Sequence, residues 1–317
     1  MGIAGIWKLL ENLLAMNKGW EGNEGKEVFG KLPPLHSLRH STTSSPFDVV
    51  YIDINQFLHV ISKKCSNEVE LHNRLGALLD SILHYTQVKK KVFIAVDGPA
   101  PTAKLLTQIK RRETKSKKAN QMKERLEKLE RRKKGESGEE SFEEKGHVDS
   151  GKGEAFGKVG WKSKVDPVEF TPGSQLMRNL DNYLLYYILN KLNQRSYRHL
   201  NFLYSGSERE GEGEFKIFQD FRHSSNSSDS SDGIERVGIV SSDGDVALFS
   251  LLAASNGSSN LQILRLFERE TISISSLLLL LSRPLKLPHS LRKLTLLSTF
   301  HPLFSILPNS KKKLIVL

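Results

Sequence analysis

Apolar side chains near the start of the chain recur at helical spacing. Five of them fall on one stripe of a helix: Ile6, Leu9, Leu10, Leu13 and Leu14. Residues 69–83 and 176–192 show the same kind of period, and another helix is predicted from Ala103 onward. Thr171 and Pro172 are predicted to open the 176–192 helix, as its N-cap and first-turn proline.

Four other runs are apolar at nearly every position. They cover residues 49–52, 92–96, 200–204 and 237–240. Continuous rather than alternating apolar residues are typical of strands that are covered on both faces. Because helical segments separate these runs, the pattern predicts an α/β fold, with a mostly parallel, twisted sheet flanked by helices.

Composition divides the chain into a domain and less regular parts. The predicted domain spans residues 1–270, with a charged, partly disordered insertion at 114–168 and a Ser-rich, low-complexity loop at 223–233. Residues 271–317 are rich in Leu and Ser and hold neither a helical nor a strand period for long. They are predicted to be an atypical basic tail outside the domain.

The chain is basic, with 47 Lys and Arg against 36 Asp and Glu and a net charge of +11. Seven basic and no acidic residues fall in 271–317, which leaves 40 basic against 36 acidic residues before it. The excess favours a polyanionic partner such as nucleic acid. The tail is therefore open to a second interpretation, as a basic arm that touches nucleic acid.

The single cysteine, Cys65, excludes an internal disulfide framework and a Cys-based zinc or iron–sulfur site. No apolar run reaches the ~18 residues of a membrane span, and the N-terminus lacks the layout of a secretory signal. We expect a protein that is neither secreted nor membrane-spanning. Basic patches at 110–118 and 131–134 favour the nucleus slightly over the cytoplasm.

Acidic residues follow each of the four apolar runs. They are Asp53, Asp97, Glu212, Glu214, Asp243 and Asp245. In an open parallel sheet these positions converge outside the carboxyl ends of the strands, where ligands bind. So many carboxylates stay ionised together only beside cations, and oxygen ligands suit Mg²⁺ or Mn²⁺. Two such ions about 4 Å apart are a known arrangement for phosphodiester cleavage. The alternative is that single Asp residues after strands are ordinary turn formers.

A basic helix face is predicted directly after the second of these acids. Its members are spaced at offsets of 0, 4, 7 and 8, so they share one side of the helix: Lys104, Gln108, Arg111 and Arg112. Arg offers bidentate contacts to phosphate and Lys a point charge. The spacing predicts a phosphate pocket beside the acids, although a run of charges is also typical of a solvated helix face.

Several blocks together resemble the 5′→3′ exoribonuclease (XRN-type) family, a branch of the flap-endonuclease-like nucleases with a PIN-like fold. The blocks lie at residues 1–3, 51–59, 95–112, 170–174, 204–206, 211–217 and 242–245. The resemblance covers about residues 1–270. Asp97-Gly98-Pro99-Ala100-Pro101 and Gly211-Glu212-Gly213-Glu214 are the most specific of these blocks in combination.

The resemblance implies roles for named residues. The six acids would bind two Mg²⁺ ions, with Mn²⁺ as a substitute, and the basic face would hold the 5′-monophosphate of single-stranded RNA. His59 matches a position that stacks on the first nucleotide, and Asn55 is placed with it among the substrate-binding residues. From the sequence pattern alone, the favoured interpretation of His59 is a residue of the helix face or the core.

The implied activity is stepwise 5′→3′ hydrolysis of 5′-monophosphorylated RNA in RNA turnover or processing. Two alternatives are kept: a structure-specific, flap-type DNA nuclease, and a truncated, catalytically impaired paralogue that binds RNA ends. The second alternative arises because the family supplies one more metal-binding Asp further along the chain, and the acid-free tail does not contain one.

Overall fold

The computed structural model describes residues 6–16, 28–100, 165–226, 235–255 and 259–281, with isolated helical positions between 113 and 128. The predicted basic helix face and most of the 114–168 insertion lie outside the described residues. So do positions 227–233 of the Ser-rich loop and the tail beyond residue 281.

Seven strands and seven α-helices lie in the described part of the chain. The strands are β1 (Phe29–Lys31), β2 (Val49–Asp53), β3 (Lys91–Ala95), β4 (Asn201–Ser205), β5 (Glu235–Val240), β6 (Ser259–Arg265) and β7 (Glu270–Ser273). The helices are α1 (Ile6–Met16), α2 (Asn55–Ile61), α3 (Glu68–Thr86), α4 (Gln175–Asn193), α5 (Gly213–Asn226), α6 (Gly244–Ser255) and α7 (Ile274–Leu281). None of these helices is long and apolar enough to cross a lipid bilayer.

The strands form one sheet in the order β1-β7-β6-β5-β2-β3-β4. The five strands from β6 to β4 are parallel, whereas β7 runs antiparallel to both β6 and β1. From β2 the chain first adds β3 and β4 on one side, then returns to add β5 and β6 on the other. The order therefore reverses between β2 and β5, and such a switch point opens a crevice at the carboxyl ends of the strands.

Helices cover both faces of the sheet, as the apolar runs predict. Successive residues of a strand point to opposite faces, and in β2 Val50 and Ile52 join one apolar core while Val49 and Tyr51 join the other. The first core is completed by α2, α3 and α4, and the second by α1, α5, α6 and α7. The mostly parallel α/β architecture is confirmed.

Two local expectations were wrong. The cap of α4 is Ser174, whose Oγ accepts a hydrogen bond from the Met177 N–H, rather than Thr171. Gly173 has a φ of +88°, which is not helical, so the helix cannot begin at Pro172. Strand β4 is not covered on both faces, because it forms the edge of the sheet and alternates between exposed and half-buried residues.

The fold continues past the predicted domain boundary at residue 270. Strand β7 pairs with β6 and β1, and Ile272, Ile274 and Leu277 are completely buried in the second core. A four-residue strand followed at once by a helix is too short for either period to show in the sequence. Residues 271–281 are therefore part of the domain in this structure.

Candidate active site

Four strands bring their predicted acids to the carboxyl edge of the sheet. Asp53 is the last residue of β2, and Asp97 lies two residues after β3. Glu212 and Glu214 flank the start of α5, which follows β4, and Asp243 lies between β5 and α6. Because β2, β3, β4 and β5 are parallel neighbours, their ends face the same crevice at the switch point.

Asp53 and Asp97 are held on either side of the first residue of α5. The backbone N–H of Gly213 donates to Asp97 Oδ1 at 2.7 Å. A Cβ atom at Gly213 would lie 2.9 Å from Asp53 Oδ1 and 3.3 Å from Asp97 Oδ1, so glycine allows this approach. Asp53 also accepts hydrogen bonds from the Asn55 N–H at 3.3 Å and from Ser241 Oγ at 3.2 Å.

Electrostatics show that these carboxylates lie close together. Burial is the main cause that raises the pKa of Asp53 to about 7, and the charges of Asp97 and Asp243 add to it. Burial likewise raises the pKa of Glu214, followed by the charges of Asp53, Asp97 and Glu212. The pKa of Asp97 is also raised, mainly by burial. Asp53, Asp97 and Glu214 therefore each lie within reach of the charge of at least one other acid.

Asp245 is linked to the other acids through its backbone. It lies in the first turn of α6, and its backbone N–H donates to Asp243 Oδ1 at 2.9 Å. Asp243 itself donates from its backbone N–H to Ser241 Oγ at 3.2 Å. Ser241 Oγ thus contacts both the Asp53 carboxylate and the loop that carries Asp243 and Asp245.

By its chemistry the set of acids suits a divalent cation, although no group of three or more Asp, Glu, His or Cys side chains among the described residues is arranged to hold a metal ion. All of the donors are carboxylate oxygens, which suit hard ions such as Mg²⁺ and Mn²⁺. Burial and mutual repulsion raise the pKa of three of them, and a bound cation would offset that repulsion.

A methyl group at Gly213 is expected to force the two aspartates apart. Gly213→Ala should still fold, since Ala is the better helix former, but it should need at least ~10-fold more Mg²⁺ for the same rise in melting temperature. Gly30→Ala is the control, because Gly30 is crowded by Thr271 at the β1–β7 edge of the sheet, away from the acids. Equal Mg²⁺ requirements for Gly213→Ala and wild type would contradict the prediction.

Of the predicted substrate-binding residues, the structure describes His59 and Asn55 but not the four residues of the basic helix face. His59 is exposed on α2, with its ring edge-on to Phe170 and the centroids 5.4 Å apart. Asn55 lies one helical turn before it, and its Oδ1 accepts from the Asp97 N–H at 3.2 Å. Asn55 therefore contacts the acid cluster itself. The predicted phosphate pocket lies outside the described residues: Lys104, Gln108, Arg111 and Arg112.

Sequence reasoning gave no role to the polar residues that hold the strand ends together. Gln56 donates to the Val240 carbonyl at 3.0 Å and accepts from the Ser242 N–H at 2.6 Å, which links α2 to the loop after β5. The Trp7 indole N–H donates to the Ser242 carbonyl at 3.0 Å, which adds α1. Lys216 is a third such residue, since it donates to the Val96 and Gly206 carbonyls. Its place between apolar Phe215 and Ile217 is the only sign in the sequence that its side chain is buried.

Comparison with protein families gives a match over most of the chain. Residues 1–266 match the family model described as the XRN 5′-3′ exonuclease N-terminus. The match includes all six acids and the basic residues predicted to follow Asp97. It ends before β7 and α7, which the structure adds to the same sheet and core.

Curated relatives carry matching names. The chain is 28% identical over 200 residues to 5′-3′ exoribonuclease 1 of Saccharomyces cerevisiae, which is 60% of this chain and 11% of that protein. It is 26% identical over 208 residues to 5′-3′ exoribonuclease 2 of Gallus gallus, 63% of this chain and 20% of that protein. It is 30% identical over 182 residues to 5′-3′ exoribonuclease 2 of Schizosaccharomyces pombe, which is 55% of this chain and 17% of that protein. The aligned part is therefore about a fifth or less of each relative.

Proposed function

Since this chain belongs to the XRN 5′-3′ exonuclease N-terminus family, we propose that it hydrolyses single-stranded RNA stepwise from a 5′-monophosphorylated end. The observation that carries the proposal is the mutual approach of Asp53, Asp97 and Glu214 at the switch point of the sheet. The names of the relatives, 5′-3′ exoribonucleases, support the direction and the substrate class.

Two Mg²⁺ ions, or Mn²⁺ in their place, are the proposed cofactors. The residues proposed to hold them are Asp53, Asp97, Glu212, Glu214, Asp243 and Asp245. When bound, such ions stabilise charge that develops on the phosphate and lower the pKa of the attacking water. The chain itself supplies the placement of the carboxylates, through the hydrogen bonds from Ser241, Asn55 and Gly213.

The 5′-phosphate is proposed to bind the basic residues that follow Asp97: Lys104, Gln108, Arg111 and Arg112. Gly98, Pro99 and Ala100 lead directly from the acid cluster toward them. His59 is proposed to stack on the first base, which its exposed position on α2 supports. Asn55 would join the substrate contacts from the same helix face, with its oxygen already bonded to the Asp97 N–H.

The proposal is tested with two RNAs that differ only in a 5′-monophosphate or a 5′-hydroxyl. With Mg²⁺ present, the phosphorylated RNA should be shortened nucleotide by nucleotide, and the hydroxyl RNA should be degraded far more slowly. Excess chelator should stop the reaction. Equal degradation of both RNAs, or activity that survives the chelator, would overturn the proposal.

The same assay separates the two alternatives. Cleavage of branched DNA with single-stranded RNA spared would identify a flap-type DNA nuclease. Saturable binding of 5′-phosphorylated RNA without turnover, at protein concentrations that saturate the RNA, would identify an RNA-end-binding protein without catalysis.

A further inference from the structure

Lys216 is a buried cation on the helix that also carries Gly213 and Glu214. Only 3% of its surface is exposed. Its Nζ donates to the Val96 carbonyl at 2.7 Å and to the Gly206 carbonyl at 2.8 Å. Val96 follows β3 and Gly206 follows β4, so one ammonium group holds the ends of two neighbouring strands to α5.

The first of these bonds acts on the peptide group that carries Asp97. Lys216 binds the carbonyl side of the Val96–Asp97 peptide, and Asn55 Oδ1 binds its N–H side at 3.2 Å. The Asp97 carboxylate is then held by the Gly213 N–H at 2.7 Å. Asp97 is therefore fixed at its peptide and its carboxylate, and two of the three bonds come from α5.

The second bond acts on the loop between β4 and α5. Asp181 on α4 holds the start of this loop by accepting from the Ser207 N–H and Oγ and from the Tyr204 hydroxyl. Further along, Gly211 is bonded in both directions to the loop after β3: its carbonyl accepts from the Gly98 N–H at 2.9 Å, and its N–H donates to the Pro99 carbonyl at 3.0 Å. Lys216 lies where these two loops meet.

We propose that Lys216 is a positioning residue that sets the distance between Asp97 and the glutamates of α5, and so determines the affinity of the acid cluster for divalent cations. The inference rests on the proposed function, because it assumes that this cluster binds the ions. A role confined to folding would weaken the whole domain, whereas a positioning role changes the cation requirement as well.

The test measures the Mg²⁺ concentration that gives half of the full rise in melting temperature, starting from protein in chelator. Lys216→Met keeps the length of the side chain and removes both hydrogen bonds, and we expect its Mg²⁺ midpoint to rise at least ~10-fold. Lys216→Gln, which retains an amide donor, should give a smaller rise. Lys91→Met is the matched control, since Lys91 is a half-buried lysine that donates to Asp220 at 2.6 Å and to Ser224 at 2.8 Å, at the opposite end of β3.

The direction of the change is decisive. Removal of a nearby positive charge alone would strengthen cation binding, so a lower midpoint in Lys216→Met would overturn the positioning role, as would an unchanged midpoint. Failure of both Lys216 variants to fold, while Lys91→Met folds, would also overturn it and leave a structural role. If wild type gains no stability from Mg²⁺, the proposed metal site fails instead, which separates the two conclusions.

Discussion

Asp53→Asn is expected to lower Mg²⁺-dependent RNA hydrolysis by at least about 10³-fold, while RNA binding is retained. Asp53 ends β2 at the switch point and is 5% exposed, and Asp97 and Asp243 both lie close enough to affect its pKa. Metal ions supply several kcal/mol of transition-state stabilisation, and ~4 kcal/mol corresponds to about a 10³-fold change in rate. The measurement is the initial rate of nucleotide release at saturating Mg²⁺.

Asp220→Asn provides the control. Asp220 on α5 accepts hydrogen bonds from Tyr51 at 3.0 Å and Lys91 at 2.6 Å, on the same sheet but away from the acid cluster. Its loss should lower the melting temperature and leave the rate of hydrolysis unchanged. In chelator, Asp53→Asn should melt no lower than wild type, because Asn does not carry the buried charge. Turnover like that of wild type in Asp53→Asn would refute the metal assignment.

Arg111→Ala is expected to reduce the preference for 5′-monophosphorylated over 5′-hydroxyl RNA by at least about tenfold. Each hydrogen bond to a charged group contributes about 1.5–3 kcal/mol, and ~1.4 kcal/mol corresponds to a factor of ten. The prediction depends on the spacing of Lys104, Gln108, Arg111 and Arg112 along one helix face. The measurement is the ratio of the hydrolysis rates of the two RNAs at one fixed salt concentration. If turnover is absent, the ratio of their binding affinities in Ca²⁺ is measured instead.

A solvated basic helix face would behave differently. Arg111→Ala would then weaken the binding of all RNAs alike and flatten the salt dependence, with the ratio between the two ends unchanged. Arg125→Ala is the matched control, because Arg125 is an exposed helical residue beyond the predicted pocket. A ratio that falls equally in both variants would show that the preference for the 5′-monophosphate does not depend on Arg111 in particular, and would contradict the predicted pocket.

Three of the four strands that position the acids could be predicted from the sequence because they are central. Most residues of strands β2, β3 and β5 are buried on both faces, so each strand contains an apolar run that stands out in the sequence. Strands β1 and β7 have three and four residues, and such short stretches show no period. They were missed for that reason, and with them the extension of the domain beyond residue 270.

The location of the acids could also be predicted from the sequence, because the carboxyl ends of parallel strands lie at one edge of the sheet. An acid directly after an apolar run is therefore placed by topology alone. This argument predicted that Asp53, Asp97 and Asp243 approach one another, and in the structure the charges of Asp97 and Asp243 both raise the pKa of Asp53. It could not predict how close they lie or which groups hold them.

By itself the sequence determined the α/β class and the central strands β2, β3 and β5, and it predicted the set of acids, because each of these depends on local patterns of burial and polarity. Only the tertiary structure decided the contacts of Lys216, Asn55, Gln56 and Ser241. Their partners are mostly backbone groups far away in the chain, such as the Val96 and Val240 carbonyls, and backbone groups carry no sequence signal. The physical reason is that a buried polar side chain must find a hydrogen-bond partner, but which partner it finds is fixed by how the strands are ordered in the sheet.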